Sequence, residues 1–194
     1  MNELDNDIVT LTTIQVALKA EARSIQANFS QLVMEVDIET DAGLWQLFQI
    51  AIDNLLINYQ YWTHFLTNSQ TLSSRETAQN LFETSSLTER HKFKTETLSN
   101  IDGNISQTPA VVDDSEPSER DYIVVTLLIG TADDSPLFSS IDSADELKSG
   151  LAKIASMPPE YLLIFELLWS PQVATDSLSK SQLARDYADL VAIS

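Results

Sequence analysis

The spacing of the apolar residues changes along the first half of the chain. Residues 8–18 are rich in β-branched side chains and alternate in part, which predicts a strand. Between Ala22 and Val36, apolar residues recur three and four positions apart, and this spacing returns after the candidate N-caps Thr40 and Asp41, so two amphipathic helices are expected. The aromatic run at 58–67 predicts a second strand, although a continued helix would also group its aromatic rings.

Helix starts in the rest of the chain are marked by capping boxes, in which a serine is followed three residues later by glutamate or glutamine. These boxes begin at Ser73, Ser86, Ser143 and Ser179. The first two predict separate helices over about 74–84 and 87–100. Gly103 stands where a helix-ending glycine is expected.

Residues 102–121 differ from the segments on either side. They contain two prolines, six acids and few apolar side chains. Burying so little apolar surface does not offset the entropy of ordering the segment. We therefore predict a flexible acidic insert at 102–121 within one domain covering 8–191.

Two nearly continuous apolar runs, at 122–131 and 161–169, predict strands that are buried on both faces. A helix predicted from Ser143 lies between them, which favours a parallel, right-handed crossover connection. A chain of 194 residues with 43 % hydrophobic residues fits one ordinary domain. The sequence thus predicts a single α+β domain, with a four-stranded mixed sheet packed by helices. The predicted strands are 8–18, 58–67, 122–131 and 161–169.

The charge balance bears on the class of partner. With 11 basic and 29 acidic residues, the net charge is −18. Such a surface repels nucleic-acid phosphates and anionic lipid headgroups, so no nucleic-acid function is expected. No apolar run approaches the roughly 20 residues of a spanning helix, and the acidic residues 1–7 are unlike a signal or transit peptide. We expect a cytoplasmic protein without direct membrane insertion.

Motifs for catalysis or metal binding are missing from the sequence. It has no cysteine, its four glycines form no phosphate-binding loop, and no serine lies in a Gly-x-Ser-x-Gly elbow. His64 and His91 lie on different predicted elements. The acidic pair at 133–134 lacks the spacing of a calcium loop. We therefore predict a non-enzymatic protein with no cofactor and no metal site. Glu166 lies inside an apolar strand: it must be paired or neutral if it faces the core, and it is simply exposed if it lies on an edge face.

Six residues are candidates for binding a protein partner, each with a structural alternative. Arg90 and Lys94 form the one short basic patch and would share a helix face, which by default is solvated. Trp169, Pro171 and Gln172 form a turn at a strand end that could present an aromatic ring, although core packing is the simpler reading. Asn100 lies in a turn expected to join this surface.

Several stretches of the chain resemble the domain of unknown function 1517 family of cyanobacteria and plastids. They are 122–128, 162–172 and the Glu-Thr-Leu-Ser-Asn run at 96–100, and the likeness extends over about 9–190. The resemblance implies a regulatory protein that is associated with thylakoid or plastid membranes and with acclimation of photosynthesis to light. It brings no catalytic residues. Many members carry hydrophobic or glycine-rich segments before this domain, which this chain lacks, so any thylakoid contact is expected to be peripheral and through another protein.

Three hypotheses follow. The first is a regulatory adaptor that binds a protein partner linked to photosynthetic acclimation. The second is a small-molecule or ion sensor with a pocket between sheet and helices. The third, an enzyme that uses carboxylates alone, needs two acids facing each other across a cleft. We favour the first. The partner's identity and the oligomeric state are left open by the sequence.

Overall fold

The computed structural model describes residues 3–93, 98–101, 104–107 and 120–193, with side chains for 3–93 and 121–193. Within these residues, six strands form one antiparallel sheet whose main path runs β6-β5-β1-β2-β8, with β7 paired to β5. Its strands are β1 (Val9–Lys19), β2 (Trp62–Leu72), β5 (Arg120–Thr131), β6 (Leu162–Ser170), β7 (Leu178–Ser179) and β8 (Val191–Ala192). A separate hairpin pairs β3 (Leu98–Ile101) with β4 (Asn104–Gln107).

Helices cover both faces of the sheet. They are α1 (Ser24–Glu35), α2 (Asp41–Ile57), α3 (Arg75–Arg90), α4 (Ala144–Ala155) and α5 (Lys180–Asp186). Because successive side chains of a strand point to opposite faces, Leu127 packs with α1, α2 and α4, whereas the next residue, Leu128, packs with α3. Helix α5 packs beside α3 on that second face, against Val124.

The first face holds the larger apolar core. Phe29 and Phe48 are fully buried there, and the ring of Phe48 meets that of Phe165 edge-on with centroids 5.3 Å apart. Full burial of one such side chain stabilises the fold by roughly 1.5–3 kcal/mol. The central strands β1 and β5 are buried on both faces, which the apolar run of β5 predicts.

Three predicted helix starts are confirmed by their hydrogen bonds. The Thr40 hydroxyl accepts from the Gly43 amide at 3.1 Å, and the Ser143 hydroxyl accepts from the Glu146 amide at 3.2 Å. Ser179 forms a complete capping box at the start of α5. These bonds satisfy amides that have no partner inside the helix, which fixes where each helix begins.

The two helices predicted over 74–84 and 87–100 are wrong, because α3 runs unbroken through Ser86. Its N-cap is Ser74, whose hydroxyl accepts from the Thr77 amide. Glu89, read from the sequence as part of a second capping box, points inward and binds the sheet instead. Residues 98–101 and 104–107 form the hairpin β3–β4, so the predictions of a helix over 98–100 and of a loop over 104–107 are also wrong. Gly103 and the rest of the predicted insert up to 119 lie outside the described residues.

The sheet is antiparallel rather than mixed, and it has more strands than the four predicted, because two short ones, β7 and β8, join it. The predicted parallel crossover is therefore wrong: β5 and β6 are antiparallel neighbours. The connection from β5 to β6 leaves the sheet at the end of β5 and returns to that same end. A hydrogen bond from the Ala132 amide to the Tyr161 carbonyl, at 2.9 Å, joins the two ends of the connection. A loop followed by α4 is long enough to travel out and back.

Candidate functional site

Strand β6 forms one edge of the sheet. It pairs with β5 on one side, and no other strand of the described residues pairs with its outer side. Its burial is uneven: the second half, residues 167–170, is buried, whereas the first half is partly open, and Ile164 is 38 % exposed. An open edge presents backbone N–H and C=O groups that can pair with another chain.

A groove of about 820 Å³ runs along this open half of β6. Four consecutive β6 residues, 163–166, line it. Glu166 is bonded to Arg90 of α3, and its neighbour Phe165 belongs to the core on the opposite face. Because adjacent side chains of a strand point to opposite faces, a cavity that contacts all four must lie beside the backbone. We call it the edge groove.

The walls of the edge groove come from opposite faces of the sheet. Phe82 and Leu87 of α3 form one wall, and Ile38, with Leu44 of α2, forms the other. Leu87 is 58 % exposed although it lies on a helix whose apolar face is otherwise turned to the sheet. Most of the lining surface is therefore apolar and reachable from solvent.

Gly130 lets Ile164 lie close to the sheet at the groove floor. A Cβ atom at Gly130 would come within 2.5 Å of the Ile164 Cγ2 atom and 3.2 Å of the Leu11 Cδ2 atom. The space that the missing side chain leaves is occupied by Ile164, which pairs with Gly130 across β5 and β6. The floor is thus a backbone edge with one apolar side chain above it.

An ion pair between Arg90 and Glu166 lies at one end of the edge groove. The Arg90 guanidinium donates from both Nε and Nη2 to Glu166 Oε1, with the Nε contact at 3.1 Å. The two side chains are 12 % and 16 % exposed. Glu166 is paired, one of the two outcomes expected for an inward carboxyl group, and the reading of Arg90 on a solvated face is wrong. The pair ties the last turn of α3 to the edge strand.

The rim of the edge groove is acidic. Glu39 and Glu83 line it and are exposed, while Glu166 is neutralised by Arg90. Three carboxylates against one guanidinium leave a net charge of −2 at the groove. Together with the overall charge of −18, this field favours a cationic ligand.

A second polar cluster lies nearby, buried between α3 and the sheet. The Gln15 amide donates to Glu89 Oε2 at 2.6 Å and to the Thr126 hydroxyl at 3.0 Å. Lys92 donates to the other Glu89 oxygen at 2.7 Å and lies over the ring of Tyr187. Burial raises the pKa of Tyr187 well above its usual range. These groups satisfy one another, so the cluster joins α3, α5 and the sheet rather than presenting groups to a ligand.

Trp169, Pro171 and Gln172 do not form an exposed recognition surface. Trp169 is 2 % exposed and packs against the ring of Phe29, with centroids 5.6 Å apart. Gln172 is 6 % exposed. The Pro171 carbonyl, after a cis peptide bond, accepts from the buried side chain of Gln26 at 2.6 Å. The structural alternative, core packing, therefore describes Trp169, and a partner contact there stays a prediction.

The other three candidate residues for partner binding have different outcomes. Arg90 lines the edge groove. The backbone of Asn100 pairs with Ile105 in the β3–β4 hairpin, and its side chain is not described. Lys94 lies outside the described residues. The shared helix face predicted for Arg90 and Lys94 therefore stays a prediction.

Sequence reasoning missed Leu87 and Ile164, the two most exposed apolar residues of the edge groove. Leu87 carried a usable signal, because it is a large apolar residue among polar neighbours in α3. Ile164 carried none, because it lies inside an apolar run typical of a strand buried on both faces. Only the order of strands in the sheet shows that β6 is at an edge.

Metal ligands and membrane spans can be checked over the described part of the chain. No three histidine, aspartate or glutamate residues there come together as a metal site would require. His64 lies on β2, and His91 follows α3. None of the helices in these residues is long and apolar enough to cross a membrane.

Fold and site together define an acidic α+β protein whose main antiparallel sheet opens, at one edge, into an apolar groove with an acidic rim. The chain belongs to the family described as Protein of unknown function (DUF1517), whose model matches residues 8–193. The resemblance seen in the sequence is thereby confirmed.

Two relatives are similar over most of this chain. FLUCTUATING-LIGHT-ACCLIMATION protein 1, chloroplastic, of Arabidopsis thaliana is 30 % identical over 183 residues, covering 94 % of this chain and 46 % of that protein. Protein FLAP1 homolog A of Synechocystis sp. is 30 % identical over 191 residues, covering 94 % of this chain and 56 % of that protein. The chain thus spans about half the length of these relatives. No solved structure matches it.

Proposed function

We propose that this chain is a non-enzymatic regulatory protein in the acclimation of photosynthesis to light, and that it acts by binding a protein partner in the edge groove. The family and the name of the plant relative support this setting. Any contact with the thylakoid membrane is peripheral and goes through that partner.

The observation that carries the proposal is the edge groove itself. Leu87 and Ile164 expose apolar surface beside an open strand edge. A single exposed apolar residue is ordinary on a protein surface, but a continuous apolar groove with a polar rim is typical of an interaction site. The buried cluster around Glu89, by contrast, has its groups satisfied internally.

Capture from a cyanobacterial lysate tests the proposal, with Leu87→Lys and Ile57→Lys as a matched pair of variants. Ile57, at the end of α2, is 73 % exposed and does not line the groove. Both changes add one positive charge at an exposed apolar position. We expect the wild type and Ile57→Lys to retain a photosynthetic component that Leu87→Lys loses. Recovery of no such component, or equal recovery by both variants, would contradict the proposal.

A small-molecule sensor is the second candidate, because the edge groove has the size of a ligand pocket. Its volume of about 820 Å³ lies within the range of roughly 300–1,000 Å³ that is usual for such pockets. A thermal-shift screen of metabolites and metal ions separates the two functions. A ligand at 100 times its dissociation constant stabilises the folded state by about 2.7 kcal/mol, whereas a uniformly flat response excludes a sensor of the compounds screened.

A further inference from the structure

The floor of the edge groove is the backbone of β6 rather than a patch of side chains. Residues 163–166 line it in unbroken succession, and on that side they meet no other strand of the described chain. At 3.3–3.4 Å per residue, four residues offer about 13 Å of strand edge. On the unpaired side of an edge strand, alternate residues direct their N–H and C=O groups outward, so this length offers backbone groups for pairing.

The two walls fit a ligand with side chains on both faces. One wall carries Phe82 and Leu87 on the α3 side, and the other carries Ile38 and Leu44. An added strand would direct alternate side chains to each wall while its backbone pairs with β6. A helical ligand, about 10 Å across, would present one apolar face and leave the edge amides and carbonyls of β6 without partners. The geometry therefore favours an extended segment.

The charge of the groove rim indicates which kind of extended segment the groove binds. The rim carries Glu39 and Glu83, and Arg90 is engaged with Glu166. A second copy of this chain would bring a net charge of −18 against −18, which opposes association through this edge. A segment with lysine or arginine beside its apolar residues is attracted to the same rim.

We infer that the edge groove binds an extended, cationic segment of a partner polypeptide by adding it to β6 as a further strand. This inference rests on the proposed binding of a protein partner and specifies that partner's chemistry. The apolar residues of the segment contact Leu87 and Ile164, and its basic residues meet Glu39 and Glu83.

A synthetic peptide of about nine alternating lysine and valine residues, blocked at both ends, is the probe. Its binding to the whole protein is measured by fluorescence anisotropy. We expect Leu87→Lys to weaken binding about tenfold relative to Ile57→Lys. The two variants have the same net charge, so general attraction to an acidic protein affects both alike. Equal affinities would overturn the inference.

Methylation of every backbone nitrogen of the peptide tests strand addition directly. The methylated peptide keeps the charges and side chains but cannot donate hydrogen bonds to β6. We expect its affinity to fall about tenfold or more. We also expect the unmethylated peptide to slow amide hydrogen exchange at 162–166 but not at 66–72, on the opposite edge of the sheet. Unchanged affinity on methylation, or protection at 66–72 alone, would contradict strand addition.

Other occupants give different results. A matched glutamate–valine peptide that binds equally well would refute the charge requirement. Dimers of the free protein that Leu87→Lys disrupts would indicate a second copy in the groove. If lysate capture fails while the peptide binds as expected, the proposed function fails and strand addition stands. If a groove-dependent partner is captured but methylation has no effect, strand addition fails and the proposed function stands.

Discussion

The two edges of the sheet differ in chemistry. Among the described residues, strand β2 ends the sheet on one side, where β8 pairs with His64 and Phe65 and stops short of residues 66–72. Five polar residues in succession, 67–71, fill this stretch. On the other side, the open half of β6 is Leu-Leu-Ile-Phe before Glu166, and it lies at the floor of the edge groove.

The β2 edge is also tied to its surroundings through side chains. The Ser69 hydroxyl bonds to that of Thr12 at 2.8 Å and accepts from the Leu137 amide at 2.9 Å. Thr71 bonds to Thr10 at 2.7 Å. Polar, internally bonded edges discourage pairing with other chains, whereas an apolar edge invites it. One sheet thus has a protected edge and an edge available for binding.

The largest expected effect is on the ion pair that holds α3 against the β6 edge. Arg90→Ala leaves Glu166 without its partner in a mostly buried position, so the free energy of unfolding should fall by about 3 kcal/mol. Urea denaturation followed by circular dichroism measures the loss.

Arg75→Ala is the matched control at the other end of α3. Arg75 is 47 % exposed and lies 3.9 Å from an Asp7 oxygen, so its loss should cost less than about 1 kcal/mol. Equal losses for the two arginines would show that Arg90 contributes no more than a surface charge.

Ile164→Lys gives the β6 edge the kind of residue that natural edges use for protection. The lysine repels a cationic segment and removes apolar contact, so the affinity for the lysine–valine peptide should fall about tenfold, or 1.4 kcal/mol. Val191→Lys, on β8 at the opposite edge and 61 % exposed, adds the same charge and should leave the affinity unchanged. Anisotropy titrations compare the two, and similar losses would place the peptide elsewhere.

The reverse change makes the β2 edge resemble β6. Asn68 and Gln70 are exposed, and replacing both by isoleucine should produce association that grows with protein concentration. Each new cross-strand pair contributes roughly 0.2–1 kcal/mol, so the effect is modest. Sedimentation velocity measures it, with Asn80→Ile plus Thr84→Ile on the exposed side of α3 as the control. A double variant that stays as monomeric as this control would show that polarity does not protect the β2 edge.

The features of the fold that could be predicted from the sequence are those set by local patterns. The starts of α2 and α4 and the buried strand β5 follow from caps and apolar runs, and the structure confirms them. The continuation of α3 through Ser86 was not predicted, because Ser86 and Glu89 have the spacing of a capping box. In the structure Glu89 points inward and accepts from Gln15, a residue distant in the sequence.

The edge groove shows the same limit. The apolar run of β6 is typical of a strand buried on both faces, yet burial is complete only in its second half. There Trp169 packs against Phe29 of α1, while the first half faces the groove. Strand order and helix position, which decide between the two, depend on long-range contacts that no local pattern contains.

The smallest expected effect is a pH dependence at the protected edge. Burial, followed by the nearby charge of Lys180, lowers the pKa of His64 below its ordinary value of 6.5. His64 lies on β2, where it pairs with Ala192 of β8 and contacts the hydroxyl of Thr63 and the ring of Tyr122.

The sign follows from the lowered pKa. Well above pH 6.5 His64 is neutral in both the folded and the unfolded states, and its full contribution to stability is present. As the pH falls below 6.5, the unfolded chain takes up a proton more readily, so the folded state loses stability until His64 is protonated there too. Urea denaturation at about pH 7.5 and about pH 5.5 should show a loss of stability at the lower pH, which His64→Gln reduces. The effect is small because solvent screens a partly exposed imidazole. If His64→Gln leaves that loss unchanged, the pH dependence does not belong to the β2 edge.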